Sequence, residues 1–230
     1  MRTVHVIGSV LMAAVLMMPV AARAQQAINL SLGGFTVTGE DARADGDVLV
    51  ANRDIFAFDV KDFNTGSVGL EYLLPIGEFF EIGGGVGYTS RTVNSVYDDL
   101  VNRDGSEIEQ DLRLRVVPMS LTARVLPFGR SRAVQPYIGG GLGVFNYRYS
   151  EVGEFVDFSD NSVFNDRFVA TGTEVGAVGL AGIRFPIGDA FSLGGEVRYQ
   201  KAEADLSNDF LGDKLDLGGF HYLLTLHVKF

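Results

Sequence analysis

The chain has 230 residues, a formal net charge of −10 and no cysteine. This length suits a single domain, and the absence of cysteine excludes a disulfide framework, an iron–sulfur centre and a thiolate zinc site. The acidic balance argues against nucleic-acid binding, which needs a basic surface. Glycine supplies 29 residues, roughly twice the usual share, and this composition is unusual for a helical protein.

The N-terminal segment has the three parts of a secretory signal peptide. Arg2 provides a short positive region, Val6 to Ala21 is apolar, and Ala22-Arg23-Ala24 has the small-x-small pattern of a cleavage site. The apolar stretch is shorter than the roughly 20 residues of a membrane-spanning helix. We therefore expect residues 1–24 to be removed and residues 25–230 to form the mature domain.

The mature chain alternates apolar and polar residues in short segments. A strand points successive side chains to opposite faces, so this pattern predicts strands whose two faces meet different surroundings. Eight strands are predicted, at 27–37, 66–74, 79–90, 112–126, 135–149, 172–185, 190–201 and 217–230.

The fourth predicted strand is irregular. Arg113 and Arg115 share the parity of its apolar residues, and Pro118 removes a ladder hydrogen bond in mid-strand. Two explanations follow from the sequence. Either a bulge near Pro118 resets the register, or the two arginines lie beyond the edge of a membrane.

The predicted connections differ sharply in length. Three are tight turns of one pattern, Leu74-Pro75-Ile76-Gly77, Leu126-Pro127-Phe128-Gly129 and Phe185-Pro186-Ile187-Gly188. Four are long, and each carries a net charge of −4, which makes −16 together. These long loops are 38–65, 91–111, 150–171 and 203–216.

The last strand shows the alternation most clearly. Its odd positions are largely polar, whereas all its even positions are apolar: Phe220, Tyr222, Leu224, Leu226, Val228 and Phe230. An even number of alternating strands, with short turns at one end and long loops at the other, is typical of a transmembrane β-barrel. A soluble β-sandwich or lipocalin-like barrel, with its apolar face inward, is the alternative. We predict an all-β, eight-stranded, antiparallel up-and-down transmembrane barrel with short periplasmic turns and four long acidic outer loops.

With this terminal strand, its glycine-rich strands and its proline-containing turns, the chain resembles the eight-stranded bacterial outer-membrane barrels of the OmpA-like, OmpX-like and opacity-protein type. The resemblance implies a location in the bacterial outer membrane, among its lipid and lipopolysaccharide. It also implies that the outer-membrane assembly machinery reads the terminal strand, from Phe220 to Phe230, as its signal.

An eight-stranded barrel has an interior that side chains can fill. Because unpaired buried charges are costly, the charges on the inward face should pair. A plugged interior and a narrow ion-selective water path are both open at this point. The predicted inward set is Glu71, Glu81, Arg124, Arg148, Glu174, Arg184, Glu196, Arg198, His221, His227 and Lys229.

No catalytic, cofactor or metal site is expected. His221 and His227 share a face but are separated by roughly 20 Å along a strand, too far for one metal ion or one catalytic triad. The acidic segment 41–47 does not have the spacing of a calcium loop.

We expect a structural or surface-interaction barrel that acts through its outer loops. The alternative is a narrow channel for small solutes or apolar compounds, as in OmpW-like proteins.

Overall fold

The computed structural model describes residues 26–230, so the predicted signal peptide lies outside the described residues. It contains ten strands, one short α-helix, α1 (Val48–Arg53), and two 3-10 turns at Glu40–Ala42 and Val60–Phe63. The strands are β1 (Ala27–Val37), β2 (Thr65–Ile76), β3 (Phe80–Val101), β4 (Glu107–Val125), β5 (Gln135–Asp157), β6 (Ser162–Ile187), β7 (Phe191–Lys201), β8 (Glu203–Asp205), β9 (Lys214–Asp216) and β10 (Gly219–Lys229).

Eight of these strands close into an antiparallel barrel in the order β1-β10-β7-β6-β5-β4-β3-β2. The ring closes because β1 pairs on both sides, and Leu30 lies opposite both Leu226 of β10 and Leu70 of β2. β8 and β9 form a separate small hairpin. The predicted eight-stranded up-and-down barrel is confirmed.

The tight turns gather at one end of the barrel, which we call the lower end. Gly77, Gly129 and Gly188 in these turns have φ angles of 67°, 75° and 68°. A residue with a Cβ rarely adopts such angles, so each turn needs its glycine. The first and last described residues meet here too, because the backbone N–H of Phe230 donates to the carbonyl of Gln26 at 2.9 Å.

Four strands continue well beyond their predicted upper ends. β3 and β4 run through most of the predicted loop 91–111, and β5 and β6 run through most of the predicted loop 150–171. Only residues 102–106 and 158–161 join these strands. The prediction of long loops was wrong at both places because the alternation continues there with the opposite face apolar.

β4 shows this exchange of faces directly. From Val117 to Val125 its apolar side chains occupy odd positions and face outward, whereas from Ile108 to Val116 most of them occupy even positions and are buried inside. The cause is a change of solvent outside the wall. Hydrocarbon favours apolar side chains on the outward face, and water favours them on the inward face. The exchange therefore marks the membrane surface on this strand.

The exchange decides between the two explanations for the fourth predicted strand. The pairing of β4 with β3 keeps one register from its first pair to Val96↔Glu109, so the bulge near Pro118 is wrong. Arg113 and Arg115 keep the parity of the outward face and lie just above the exchange. They therefore lie beyond the apolar band.

The other long strands change faces in the same way. On β5, Leu142 and Val144 are exposed on the outward side, whereas Tyr147 and Tyr149 above them are buried inside. On β6, Val175 is exposed outward, and Phe168 above it packs inward against the buried core. The four long strands thus form a membrane wall below and one side of a water-soluble core above.

A folded cap covers the upper end of the barrel. We define the cap as residues 38–64 and 202–218, which pack against the upper parts of β3 to β6. Its apolar side chains join one buried core with the inward faces of these strands, and they include Val48, Leu49, Phe56, Phe63 and Leu215. Backbone hydrogen bonds also tie the cap to the free side of β3. In the described part of the chain, no helix is both long and apolar enough to cross a membrane.

Candidate functional site in the barrel lumen

Glycines in the lower half of the barrel leave room for large charged side chains. A Cβ on Gly85 of β3 would lie 2.9 Å from the Cβ of Glu71, and a Cβ on Gly83 of β3 would lie 2.6 Å from Oε1 of Glu71. Both distances are too short for a side chain. The glycine-rich inward faces therefore provide the space that the lumen charges occupy.

Arg124 lies at the centre of these charges, and its side chain has no solvent exposure. Its Nη2 donates to the carboxylate of Glu71 and, at 3.1 Å, to Oε2 of Glu196. The three residues come from β4, β2 and β7, which are not neighbours in the ring. The ion pairs therefore cross the lumen from wall to wall.

Arg198 completes a set of four charges, Glu71, Arg124, Glu196 and Arg198, which we call the lumen quartet. Its Nε donates to Oε1 of Glu196 at 2.9 Å, and its Nη2 lies 3.4 Å from Oε2 of Glu71. Two carboxylates and two guanidinium groups leave no net charge. Buried ions cost several kcal/mol each unless they are paired and hydrogen-bonded. Each charge of the quartet has an opposite charge beside it, although Nε and Nη1 of Arg124 have no acceptor among residues 26–230.

Neutral side chains add hydrogen bonds to the two carboxylates of the quartet. Asn29 and Thr122 donate to Glu71, each at 3.3 Å, and the Tyr137 hydroxyl donates to Oε2 of Glu196 at 3.0 Å. The Tyr137 ring centroid also lies 5.1 Å from Cζ of Arg124 and 5.4 Å from Cζ of Arg184. Tyr137 therefore connects the quartet to a second ion pair.

That second pair joins Arg184 of β6 to Glu81 of β3. Nη1 and Nη2 of the arginine donate to Oε1 and Oε2 of the carboxylate at 3.0 and 2.8 Å, and both side chains are buried. Two parallel hydrogen bonds of this kind fix the relative orientation of the two groups. The pair closes the lumen toward the lower end.

Other residues of the predicted inward set lie in the lumen without ion pairs. His221 is hydrogen-bonded to Ser67 and to Gln200, each at 2.9 Å, and His227 is fully buried. Neither Glu174 nor Lys229 makes a salt bridge to any residue between 26 and 230, although both have the inward parity. These four positions are not part of the quartet.

The placement of Arg148 in the lumen is wrong. Arg148 lies between Tyr147 and Tyr149, which are both buried inside the barrel, and it is paired with Arg115 on the outward side of β4. Its even position has the same parity as Leu142 and Val144, which face outward lower on β5, so the alternation of the strand already places Arg148 on the outward face. The inward assignment followed the charge of the side chain rather than this parity.

Little open space remains beside the quartet. A cavity of about 30 Å³ adjoins Glu71, Arg198 and His221, which is room for about two water molecules. The residues that line this cavity include Gly87 and Pro118. Below Val96, this is the one place where the pairing of β3 with β4 is interrupted. Proline has no N–H to donate there.

A buried polar cluster attaches the cap above the lumen. Asn52 of α1 donates to Oε1 of Glu151 at 2.6 Å and to the Tyr149 hydroxyl at 2.9 Å, and that hydroxyl donates to Glu151 at 2.9 Å. Burial raises the pKa of Glu151 above its ordinary value of 4.5, against the lowering effect of these hydrogen bonds. The cluster holds a carboxyl group without a cation beside it.

A second anchor joins the two segments of the cap. Arg43 and Asp47 form a fully buried salt bridge of 2.7 Å, and Arg43 also donates to the carbonyl of Asp216 at 2.8 Å. Asp47 in turn accepts from the backbone N–H of Asp216 at 2.7 Å and from that of Leu49 at the start of α1. One ion pair therefore fixes both the helix and the β9 segment.

The sequence interpretation missed the neutral and cap residues of these sites, among them Tyr137, Asn52 and Glu151. Tyr137 was predicted only as a strand residue, and Asn52 and Glu151 were placed in loops. The upper alternation of β5, with apolar Tyr147, Tyr149 and buried Glu151 on one parity, was the available signal. It was misread because the outer side of the upper wall was not considered to be water.

The fold and the lumen together define a class: an integral membrane β-barrel with an apolar outward band and a charge-paired interior. Comparison with known families identifies the group within that class. Residues 9–217 match the family described as outer membrane protein beta-barrel domain. The chain belongs to this family, and the protein lies in the bacterial outer membrane. A comparison with curated proteins gave no match.

Solved structures with the same fold include three bacterial surface proteins. The outer membrane protein OprG from Pseudomonas aeruginosa is 14% identical, with a TM-score of 0.50 over 91% of this chain and 98% of that one. Ail of Yersinia pestis, solved with the heparin analogue sucrose octasulfate, is 13% identical, with a TM-score of 0.45 over 91% and 100%. Neisserial surface protein A is 12% identical, with a TM-score of 0.46 over 92% and 100%.

The central position of Arg124 predicts a large stability loss on neutralisation. Arg124→Gln leaves two buried carboxylates without their shared partner, so the free energy of unfolding should fall by about 3–5 kcal/mol. Arg198→Gln should cost less, since the Arg198 side chain is 18% exposed and lumen water screens its loss. Urea unfolding in detergent micelles measures both, with exposed Arg132→Gln as the control. Equal stability of the Arg124 and Arg132 variants would contradict the role of the quartet.

The raised pKa of Glu151 predicts that low pH favours cap docking. A carboxyl group whose pKa is higher in the folded protein stabilises it fully below the ordinary value of 4.5, and this contribution is lost as the pH rises through the raised pKa. Hydrogen exchange in residues 48–53 should therefore slow as the pH is lowered, after correction for intrinsic rates. Glu151→Gln keeps an acceptor for Asn52 and should remove this pH dependence. An unchanged pH profile in Glu151→Gln would refute the assignment.

Proposed function

We propose that the protein is a sealed outer-membrane barrel that has a structural or surface-interaction role through its extracellular cap and loops. The observation that carries this proposal is the double closure of the interior. The lumen quartet and the Glu81–Arg184 pair fill the lower lumen, and the apolar core of the cap fills the upper part. A pore for solutes requires a continuous open path, and two filled layers argue against one.

The charge of the outer segments supports a surface role. The four segments predicted as outer loops together carry −16, whereas strands and tight turns carry a small positive balance. A concentrated negative potential at one end attracts cationic partners and repels anionic ones. We infer that a partner of this surface is cationic where it meets the cap.

The membrane supplies the remaining partners. The apolar outward band contacts outer-membrane lipid, and lipopolysaccharide faces its upper half in the outer leaflet. We further propose that the even positions of β10, from Phe220 to Phe230, form the signal for the outer-membrane assembly machinery. We infer no catalytic role, because His221 is engaged by Ser67 and Gln200, and His227 lies six residues away along the strand.

A narrow path for apolar compounds is the second candidate, and the wall at Pro118 favours it. The small cavity beside the quartet borders Gly87 and Pro118 and also touches Val68 and Val86 of the outward face. The ladder between β3 and β4 is interrupted at this point. A compound that left the lumen sideways would pass here.

Single-channel recording separates the two candidates. For the sealed barrel, refolded protein in planar bilayers should show little steady current, and Glu196→Gln should lower stability without opening a pore. Clear unitary currents in the unmodified protein, with altered ion selectivity and unchanged stability in Glu196→Gln, would support the channel.

If the wall opens at Pro118, then Pro118→Val, which restores an N–H to the ladder, should reduce uptake of an apolar compound into vesicles.

The proposed assembly signal predicts a defect when the chain end is changed. A charge near the membrane interface costs only about 0–1 kcal/mol, so Phe230→Asp should fold in detergent with nearly normal stability. In cells it should reach the outer membrane less efficiently and be degraded more in the periplasm. Surface labelling and cell fractionation measure this, with Phe128→Asp in a lower turn as the control. Normal surface levels of Phe230→Asp would show that Phe230 is not needed for assembly.

A further inference from the structure

Three arginines lie together on the outward face of the barrel wall. Arg113 and Arg115 are on β4, Arg148 is on the adjoining β5, and we call the three residues the arginine patch. They lie directly above the apolar band, since Val117 follows Arg115 by two positions on β4 and Val144 precedes Arg148 by four on β5. This height corresponds to the lipid headgroups.

The three arginines are neighbours on one face of the wall. Arg115 is directly opposite Arg148 in the ladder, and such cross-strand pairs have Cβ atoms about 4.5–5.5 Å apart. The Nη2 of Arg113 lies 3.5 Å from the hydroxyl of Ser90, which is the β3 residue opposite Arg115. Arg113 therefore extends downward to the level of Arg115, on the β3 side of the patch.

No carboxylate neutralises this charge. None of the three arginines makes a salt bridge within residues 26–230. The acid nearest along the strand, Asp111, accepts from Asn94 at 2.6 Å instead. Like charges directly opposite each other on a sheet destabilise it. An anion bound between them would remove this repulsion.

The surroundings indicate which anion fits. Guanidinium groups bind phosphate through paired N–H donors, and they do so more specifically than ammonium groups. The acidic upper end of the molecule repels soluble anions, whereas an anion attached to an acyl chain is held at the height of the patch by the apolar wall below it. We propose that the arginine patch binds a phosphate group of an outer-leaflet lipid, whose acyl chains lie against β4 and β5.

The test measures retention of a phosphorylated lipid. Refolded protein is loaded with lipid A, which carries two phosphates, in a zwitterionic detergent, and native mass spectrometry records the lipid that remains bound. The patch variant combines Arg113→Gln, Arg115→Gln and Arg148→Gln. The control combines Lys61→Gln, Arg103→Gln and Arg132→Gln, which make the same change in net charge at exposed positions away from the patch.

We expect the patch variant to bind lipid A at least about tenfold more weakly than the unmodified protein and the control. Phosphatidylcholine, which has a phosphate masked by a cation, should be retained equally by all three. The heat-dependent gel shift of a folded barrel shows that both variants fold.

Two results would overturn the proposal. Equal lipid A retention by the patch variant and the control would show that the arginines do not bind it. Displacement of lipid A by millimolar inorganic phosphate, with the same dependence on the arginines, would assign the patch to a soluble anion rather than a lipid.

Discussion

The interior of this barrel depends on one shared cation. Arg124 contacts both carboxylates of the quartet, and its side chain has no solvent exposure. It connects strands that are separated around the ring. Each carboxylate also contacts Arg198, but removal of the central guanidinium leaves two buried carboxylates with one cation between them. The inward glycines make this arrangement possible, because side chains at those positions would collide with the charged groups or their backbone.

The wall around this interior faces three environments. Its lower outward face meets hydrocarbon, its upper outward face meets water, and its inner face meets charges below and apolar side chains above. Residues on one parity therefore have different roles at different heights, as Leu121 and Arg113 on the outward face of β4 illustrate. The cap follows from this change: once the upper strands turn apolar side chains inward, a covering segment must bury them.

Much of the membrane part could be predicted from sequence. Alternation located all eight strands, and glycines after prolines located the lower turns. The inward parity of Glu71, Arg124, Glu196 and Arg198 was also visible, but their pairing depends on which strands face each other across the ring, and local patterns carry no such information. Arg148 was misplaced because a charged side chain was assigned to the lumen, although its position has the outward parity of Leu142 and Val144. The fold of residues 38–64 depends on contacts distant in sequence, so it had no local signal.

The exchange of faces on β4 also gives the length of strand that lies in the hydrocarbon. The outward apolar stretch from Val117 to Val125 covers nine residues, about 27 Å along the strand at roughly 3.4 Å per residue. With a tilt of about 40° this projects to about 21 Å along the membrane normal, near the roughly 25 Å apolar height of outer-membrane barrels. The length of this stretch thus corresponds to the thickness of the bilayer, and it ends where the apolar residues move from odd to even positions. Deleting an even number of residues from that stretch would keep every other side chain on its present face of the wall. The wall would nevertheless be too short for its membrane.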